Sequence, residues 1–152
     1  MSATSIKSRI TTDTKTAMKS GDKSRLGVIR LISAAIKQRE VDERVELNDE
    51  QVITVLDKMC KQRRESIEQY EKANRDDLAQ QEAFELGVIK SYLPAELTAE
   101  ELTKLITEAI SVNNASSIRD MGKVMAHLKP KIQGRADLAK VSQQIKALLN
   151  NP

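Results

Sequence analysis

The chain predicts an all-α fold: an N-terminal four-helix bundle over residues 1–93, then a small three-helix domain over 94–152. Three observations carry this. Apolar residues recur at three- and four-residue spacing almost throughout, and no sustained alternation of the kind a strand needs is present. Aromatic residues are only 2% of the chain and charged residues 31%, which suits helices and is poor for a sheet. The breaks are few and carry helix-terminating chemistry, with five Gly and three Pro in 152 residues.

Each element follows from its own residues. Ile6, Ile10, Ala17 and Met18 suggest a first helix that Gly21 ends in a left-handed conformation. Asp22 caps a second, with Leu26, Ile29, Ile32 and Ile36 as core, ending near Glu40; Val41 to Leu47 reads as a charged connector. Asn48 with Gln51 makes a capping box for a third helix. That helix runs to about Ala73, where Asn74 tolerates the left-handed turn. A fourth runs from Asp76 or Asp77 to about Tyr92. Pro94 has no amide hydrogen and disfavours helix at Leu93, so the domain boundary is placed there.

Beyond the boundary, Thr98 with Glu101 forms a second capping box, and Leu102, Leu105, Ile106 and Ala109 form the fifth helix's stripe. Ser117 with Asp120 opens a sixth, expected to bury Ile118, Met121, Met125 and Leu128. A seventh follows Asp137, with Leu138, Val141, Ile145 and Leu148 inward.

Composition narrows the function classes. The longest apolar run, Leu26 to Ile36, is broken by Arg30 and falls far short of the ~20 residues a membrane span needs. The first residues show no apolar signal region, and the single cysteine, Cys60, fits a reducing compartment, so a cytoplasmic location is expected. One Cys and one His make a transition-metal site implausible, and no P-loop, dinucleotide fingerprint or GxSxG elbow is present. The expectation is no cofactor and no catalytic residue. Cys60 sits mid-helix in an apolar stripe, where cysteine usually acts as a small hydrophobe rather than a nucleophile paired with His127.

Net charge is +3 but segregated. Residues 1–39 carry nine Lys/Arg against two acids, 40–57 one against seven, and 102–152 eight against three. Within the last block Arg119, Lys123 and His127 fall at four-residue spacing on one helix face, and Lys129, Lys131, Arg135 and Lys140 extend the charge. Such a cluster suits successive phosphates. It equally suits a solvated outer face, and charge spacing alone leaves both open. With only Tyr70, Phe84 and Tyr92 aromatic, single-strand recognition by base stacking is excluded, leaving a folded RNA read by backbone and shape. In the bundle, Arg63 occupies a gap in the third helix's stripe Ile53, Leu56, Cys60, Ile67 and Tyr70. Glu82 similarly interrupts Leu78, Leu86, Ile89 and Leu93 on the fourth. Antiparallel pairing around Asn74 brings Arg63 or Arg64 within reach of Glu82 or Glu85, a partly buried ion pair that fixes register.

Several motifs coincide in order and spacing with one family. They are Arg25-Leu26 and Ile29-Arg30-Leu31-Ile32 with Ala34-Ala35-Ile36-Lys37, then Lys61-Gln62-Arg63-Arg64-Glu65-Ser66-Ile67 and Tyr92-Leu93-Pro94-Ala95-Glu96-Leu97. Met121-Gly122-Lys123-Val124-Met125, Lys129-Pro130-Lys131 and Gly134-Arg135-Ala136-Asp137 complete the set. Over nearly its whole length the chain resembles the GatB/YqeY family, whose members resemble the tail of the B subunit of aspartyl/glutamyl-tRNA amidotransferase. The resemblance implies a helical appendage that contacts tRNA, with an aminoacyl-tRNA-modifying enzyme as a second partner. Glutamine-dependent carbon–nitrogen ligase activity belongs to the larger enzyme; this chain has neither its kinase-like cradle nor a Ser-Ser-Lys amidase set. Gly122, Lys123, Pro130, Gly134, Arg135 and Asp137 match the C-terminal motif, and by resemblance Lys123 and Arg135 are the expected phosphate contacts. The competing reading is a protein-interaction adaptor that docks another chain through its helix faces.

Overall fold

In the computed structural model, which describes residues 5–150, the chain is all-α, with no strand among the described residues. It divides between Leu93 and Pro94 into two compact units. The first holds α1 (Ile6–Ser20), α2 (Lys23–Glu43), α3 (Asp49–Lys72) and α4 (Asp76–Lys90). The second holds α5 (Ala99–Val112), a 3-10 turn (Ile118–Asp120), α6 (Met121–Ile132) and α7 (Leu138–Asn150).

Local chemistry sets the helix starts. Ser5 Oγ accepts from the Ser8 amide and Asp22 Oδ1 from the Arg25 amide, satisfying donors that a helix start leaves free. Both capping boxes form: Asn48 and Gln51 exchange bonds of 3.0 and 2.9 Å, and Thr98 and Glu101 bonds of 3.1 and 3.2 Å. Four helix ends share one device. Gly21, Arg44, Asn74 and Asn114 take left-handed backbone (φ 72°, 55°, 56° and 50°). The next amide then reaches back, as Asp22 does to Ala17 O and Arg75 to Tyr70 O.

α2 runs three residues past the expected Glu40. The pairs Gln38–Asp42 (2.9 Å) and Arg39–Glu43 (2.5 Å), both four apart, support the extra turn. Glu40 meanwhile ties three segments, accepting from Lys7 Nζ at 2.6 Å and from the Leu47 amide at 2.9 Å. The Lys7 bond, then the Leu47 amide, holds its carboxyl below the usual carboxylate range.

The first unit's core gathers Ile29, Ile32, Leu56, Cys60, Ile89 and Tyr92, each at most 1% exposed. Met18 on α1 is 56% exposed, and on α3 the buried row is Val52, Val55, Leu56, Met59 and Cys60 rather than one through Ile53. α3 and α4 pack antiparallel as the most extensive helix pair. Between Cys60 and Val88, around the Asn74 turn, Ala79 is the one buried apolar residue among those described. Burial pushes the Cys60 thiol up to about 11, so it stays protonated.

The second unit packs Val124, Leu128 and Ile132 of α6 against Val141, Ile145 and Leu149 of α7, with Ile106 and Ala109 of α5. Both α6 and α7 contribute four-residue rows, the ridges that helix packing interlocks most often. Two expectations are corrected here. Leu149, not Leu148, completes the α7 row, and Leu148 is 51% exposed. On α6 the expected Ile118–Met121–Met125–Leu128 stripe is rotated towards Val124 and Ile132, leaving Ile118 42% exposed. The opening turn is 3-10, with fewer residues per turn, so Ile118 falls out of phase with the helix it precedes.

Candidate nucleic-acid interface

α6 organises the basic residues of the second unit. Its core side takes Val124, Leu128 and Ile132. At about 100° per residue, the opposite side is the row Gly122, Ala126, Pro130, all exposed. Lys123, His127 and Lys131 flank this row on one side and Lys129 on the other. The single basic face expected from the sequence is therefore two flanks with a low ridge between them. Lys129 lies across the ridge from Lys123 and His127. An added methyl at Gly122 would meet nothing within 4 Å, so the ridge is open as well as low.

Pro130 lies inside α6, in the helix's last turn. It has no amide hydrogen to give to the Ala126 carbonyl, which the open side leaves available to water. The helix ends two residues later. Lys131 Nζ and His127 Nε2 are 3.4 Å apart, a spacing at which the ammonium donates to an unprotonated ring nitrogen. Arg119 is exposed in the 3-10 turn, and Lys140 is exposed on the side of α7 away from Val141. Among the described residues, none of Arg119, Lys123, Lys129, Lys131, Arg135 and Lys140 enters an ion pair.

Three motif residues have local structural roles. Gly134 is buried with φ 78°, a conformation that favours glycine. Asp137 Oδ1 accepts from the Ala139 amide at 3.0 Å and its carbonyl from Val141, starting α7. Arg135 works as a clamp: its Nε donates to Ala95 O at 3.0 Å while its carbonyl accepts from the Leu97 amide at 2.9 Å. The pair fastens the segment after Pro94 to the α6–α7 turn. Asp120, in the 3-10 turn before Lys123, is held in place by backbone amides. The Ser116 and then the Ser117 amide donate to that carboxylate and hold it below the usual carboxylate range.

In the first unit, Arg63 Nη2 lies 3.5 Å from Glu85 Oε1, with the two side chains 16% and 12% exposed. Arg63 Nε is buried without a partner, while Arg64 and Glu82 are half-buried and enter no ion pair among the described residues. A groove at the start of α1, lined by Lys7, Ser8, Thr12, Glu46 and Asp49, offers no free cation, because Lys7 is held by Glu40 and Glu46. Among the described residues no group of three His, Cys, Asp or Glu could hold a metal, and no helix is long and apolar enough to cross a membrane.

The order of these elements, with the α6 ridge and its two motif turns, can be set against known proteins. A family model described as Yqey-like protein matches residues 7–149. The chain belongs to the YqeY-like family. Relatives named "Altered inheritance of mitochondria protein 41, mitochondrial" are similar to it. The one from Pyrenophora tritici-repentis is 31% identical over 147 residues, 93% of this chain and 79% of the relative. That from Lachancea thermotolerans is 35% identical over 118 residues, 73% and 63%. That from Eremothecium gossypii is 39% identical over 93 residues, 59% and 51%. The matches thus span from about half to about four fifths of those relatives' lengths. These names correct the expected cytoplasmic location, since the relatives are named as mitochondrial. A reducing compartment compatible with one buried thiol is not confined to the cytoplasm, so cysteine usage did not decide the matter.

Proposed function

We propose that this YqeY-like chain is a non-catalytic tRNA-binding accessory module whose contact surface is the outer side of α6. The observation that carries the reading is the open Gly122–Ala126–Pro130 ridge between Lys123, His127 and Lys131 on one flank and Lys129 on the other, with no lysine of the set in an ion pair. A low ridge lets a helix backbone come close to a ribose-phosphate surface, and flanking ammonium groups then reach phosphates on either side. Double-stranded RNA presents a wide, shallow minor groove read by shape and by phosphate and 2′-hydroxyl contacts. No base-stacking platform is needed for that mode. Arg119 and Lys140 extend the positive field, and Arg135 holds the α6–α7 turn in place. An aminoacyl-tRNA-modifying enzyme is the partner that such an appendage would serve.

The test is binding of folded tRNA across a salt series, for the wild type and for Lys123→Glu/Lys131→Glu. Wild-type affinity should fall linearly with log salt, because bound phosphates release counterions. The double variant should bind at least about tenfold more weakly, with the slope reduced by roughly 1 to 2, one phosphate per lysine. Equal affinities, or binding indifferent to salt, would overturn the reading.

A further inference from the structure

α2 carries a second outward surface, of different chemistry, on the first unit. Its inner side takes Val28, Ile29, Ile32 and Ile36 into the core. Its outer side is unusual for an exposed face. Gly27, Leu31, Ala34, Gln38 and Val41 follow one another at alternating spacings of four and three, the repeat with which one helix seats along another. All five are exposed, with Leu31 at 47% and Val41 at 60%, and the space over Gly27 is open. Along one edge of this seam run Lys23, Arg30 and Lys37, seven residues apart, also exposed. Among the described residues none of the three enters an ion pair, and Lys23 to Arg39 contains no acidic residue. By contrast Arg39, outside this row, is paired with Glu43.

We infer that the outer face of α2 docks an acidic amphipathic helix of a partner protein. The seam from Gly27 to Val41 is about 21 Å long, two heptads. Gly27 and Ala34 remove the side-chain bulk that would hold two helices apart, and Leu31 and Val41 supply the apolar contacts between them. In paired helices the residues bordering the seam choose the partner through charge. A border of Lys23, Arg30 and Lys37 calls for a facing row of carboxylates every seventh residue. A second copy docked antiparallel on the same face would set these cations against their own counterparts, which is unfavourable. Phosphate would satisfy the cations but gain nothing from Leu31 and Val41, so the aliphatic seam favours protein over RNA.

The experiment places photocrosslinking benzoylphenylalanine at Ala34 of the full chain, in cells of its native host, with the crosslinked peptide identified by mass spectrometry. The expected product joins Ala34's position to a helical segment of another protein bearing Asp or Glu at heptad spacing. A synthetic peptide of that segment should bind the purified chain, and Arg30→Glu/Lys37→Glu should weaken it at least about tenfold. Replacing the peptide's heptad acids by Lys should restore binding to that variant. Because both residues are exposed, helix content by circular dichroism should match the wild type, which separates lost docking from lost fold. A product with RNA, with a second copy or within the same chain would overturn the inference. So would a segment without the acidic row, binding indifferent to the charge reversal, or no product.

Discussion

Tyr92 closes the first unit just before Pro94, and removing its hydroxyl should change stability in a pH-dependent way. The ring is 1% exposed, and its hydroxyl donates to Asp13 Oδ2 at 2.5 Å. The Arg9 guanidinium sits over the ring, 5.2 Å from its centre, and Arg9 Nη2 donates to Ser91 O at 3.0 Å. Burial, and then the bond to Asp13, pushes the phenol up from 10.0 to about 12. The unfolded chain therefore releases this proton near pH 10 while the folded chain keeps it. The associated stability is fully present below pH 10 and is lost as pH rises through 12. Two pH units correspond to about 2–3 kcal/mol. Tyr92→Phe keeps the ring and removes both the hydrogen bond and the titration. At pH 8 it should cost about 1.5–3 kcal/mol, the range for a hydrogen bond to a charged acceptor. Measured by urea unfolding followed by circular dichroism, the difference between wild type and variant should shrink steadily above pH 10 and close near pH 12. A difference that stays constant with pH, or is absent at pH 8, would refute the assignment of Tyr92 as a buried donor to Asp13.

Three further outcomes follow from the fold. Arg44 holds φ 55° with a side chain that gains nothing from it, so Arg44→Gly should raise stability by about 0.5–1 kcal/mol in thermal melts. Arg63→Leu leaves Glu85 nearly buried and unpaired and should cost about 1–3 kcal/mol. Arg63→Leu/Glu85→Leu should recover most of that, so a double-mutant cycle should show strong coupling between the two positions. In the second unit Leu128→Ala should cost about 2–5 kcal/mol, while the exposed Leu148→Ala should stay within about 0.5 kcal/mol, a contrast that chemical denaturation resolves.

Much of this molecule is legible in its residues because its boundaries are local chemistry. Asn48 with Gln51 and Thr98 with Glu101 announce helix starts that form with both reciprocal bonds, and Gly21 and Asn74 end helices in the left-handed conformation their side chains tolerate. Arg44 and Asn114 end helices in the same way, yet nothing in an arginine signals this; the αL turn at Arg44 is imposed by the return of Val45 to the Glu40 carbonyl. Phase proved harder than position. Leu148 and Leu149 both suit a helical stripe after Ile145, and only packing against the α6 row Val124, Leu128, Ile132 selects Leu149. The 3-10 opening before α6 turned Ile118 outward for the same kind of reason. At the candidate interface, counting cations gives one basic face, whereas α6 sets Lys129 across a ridge from Lys123. The signal that separates Lys129 from Lys123 lies in the small residues between them, Gly122, Ala126 and Pro130, which charge counting passes over. Arg135 reads as a phosphate contact from its charge and its motif; that its Nε also donates to the Ala95 carbonyl is a local role that charge does not announce.

The outer faces of α2 and α6 use the same ingredients, small residues beside lysine and arginine, and spacing is what separates their readings. On α6 the small residues form a straight four-residue row of Gly, Ala and Pro, with no exposed Leu or Val among them, and Pro130 stops the helix within one turn. Such a ridge is too short and too poor in aliphatic surface to seat another helix, but it lets charged flanks reach a curved anionic surface. On α2 the row drifts by alternating fours and threes, Leu31 and Val41 lie in it, and the helix continues to Glu43. Burying the part of those side chains still exposed, 47% of Leu31 and 60% of Val41, would gain roughly 0.7–1.8 kcal/mol each. A phosphate backbone cannot supply that gain and an apolar helix face can. Under the two proposals, the charges at α2 would act on choice of partner and those at α6 on affinity, because a cation beside a desolvated seam penalises a wrong neighbour while one beside open water mainly attracts.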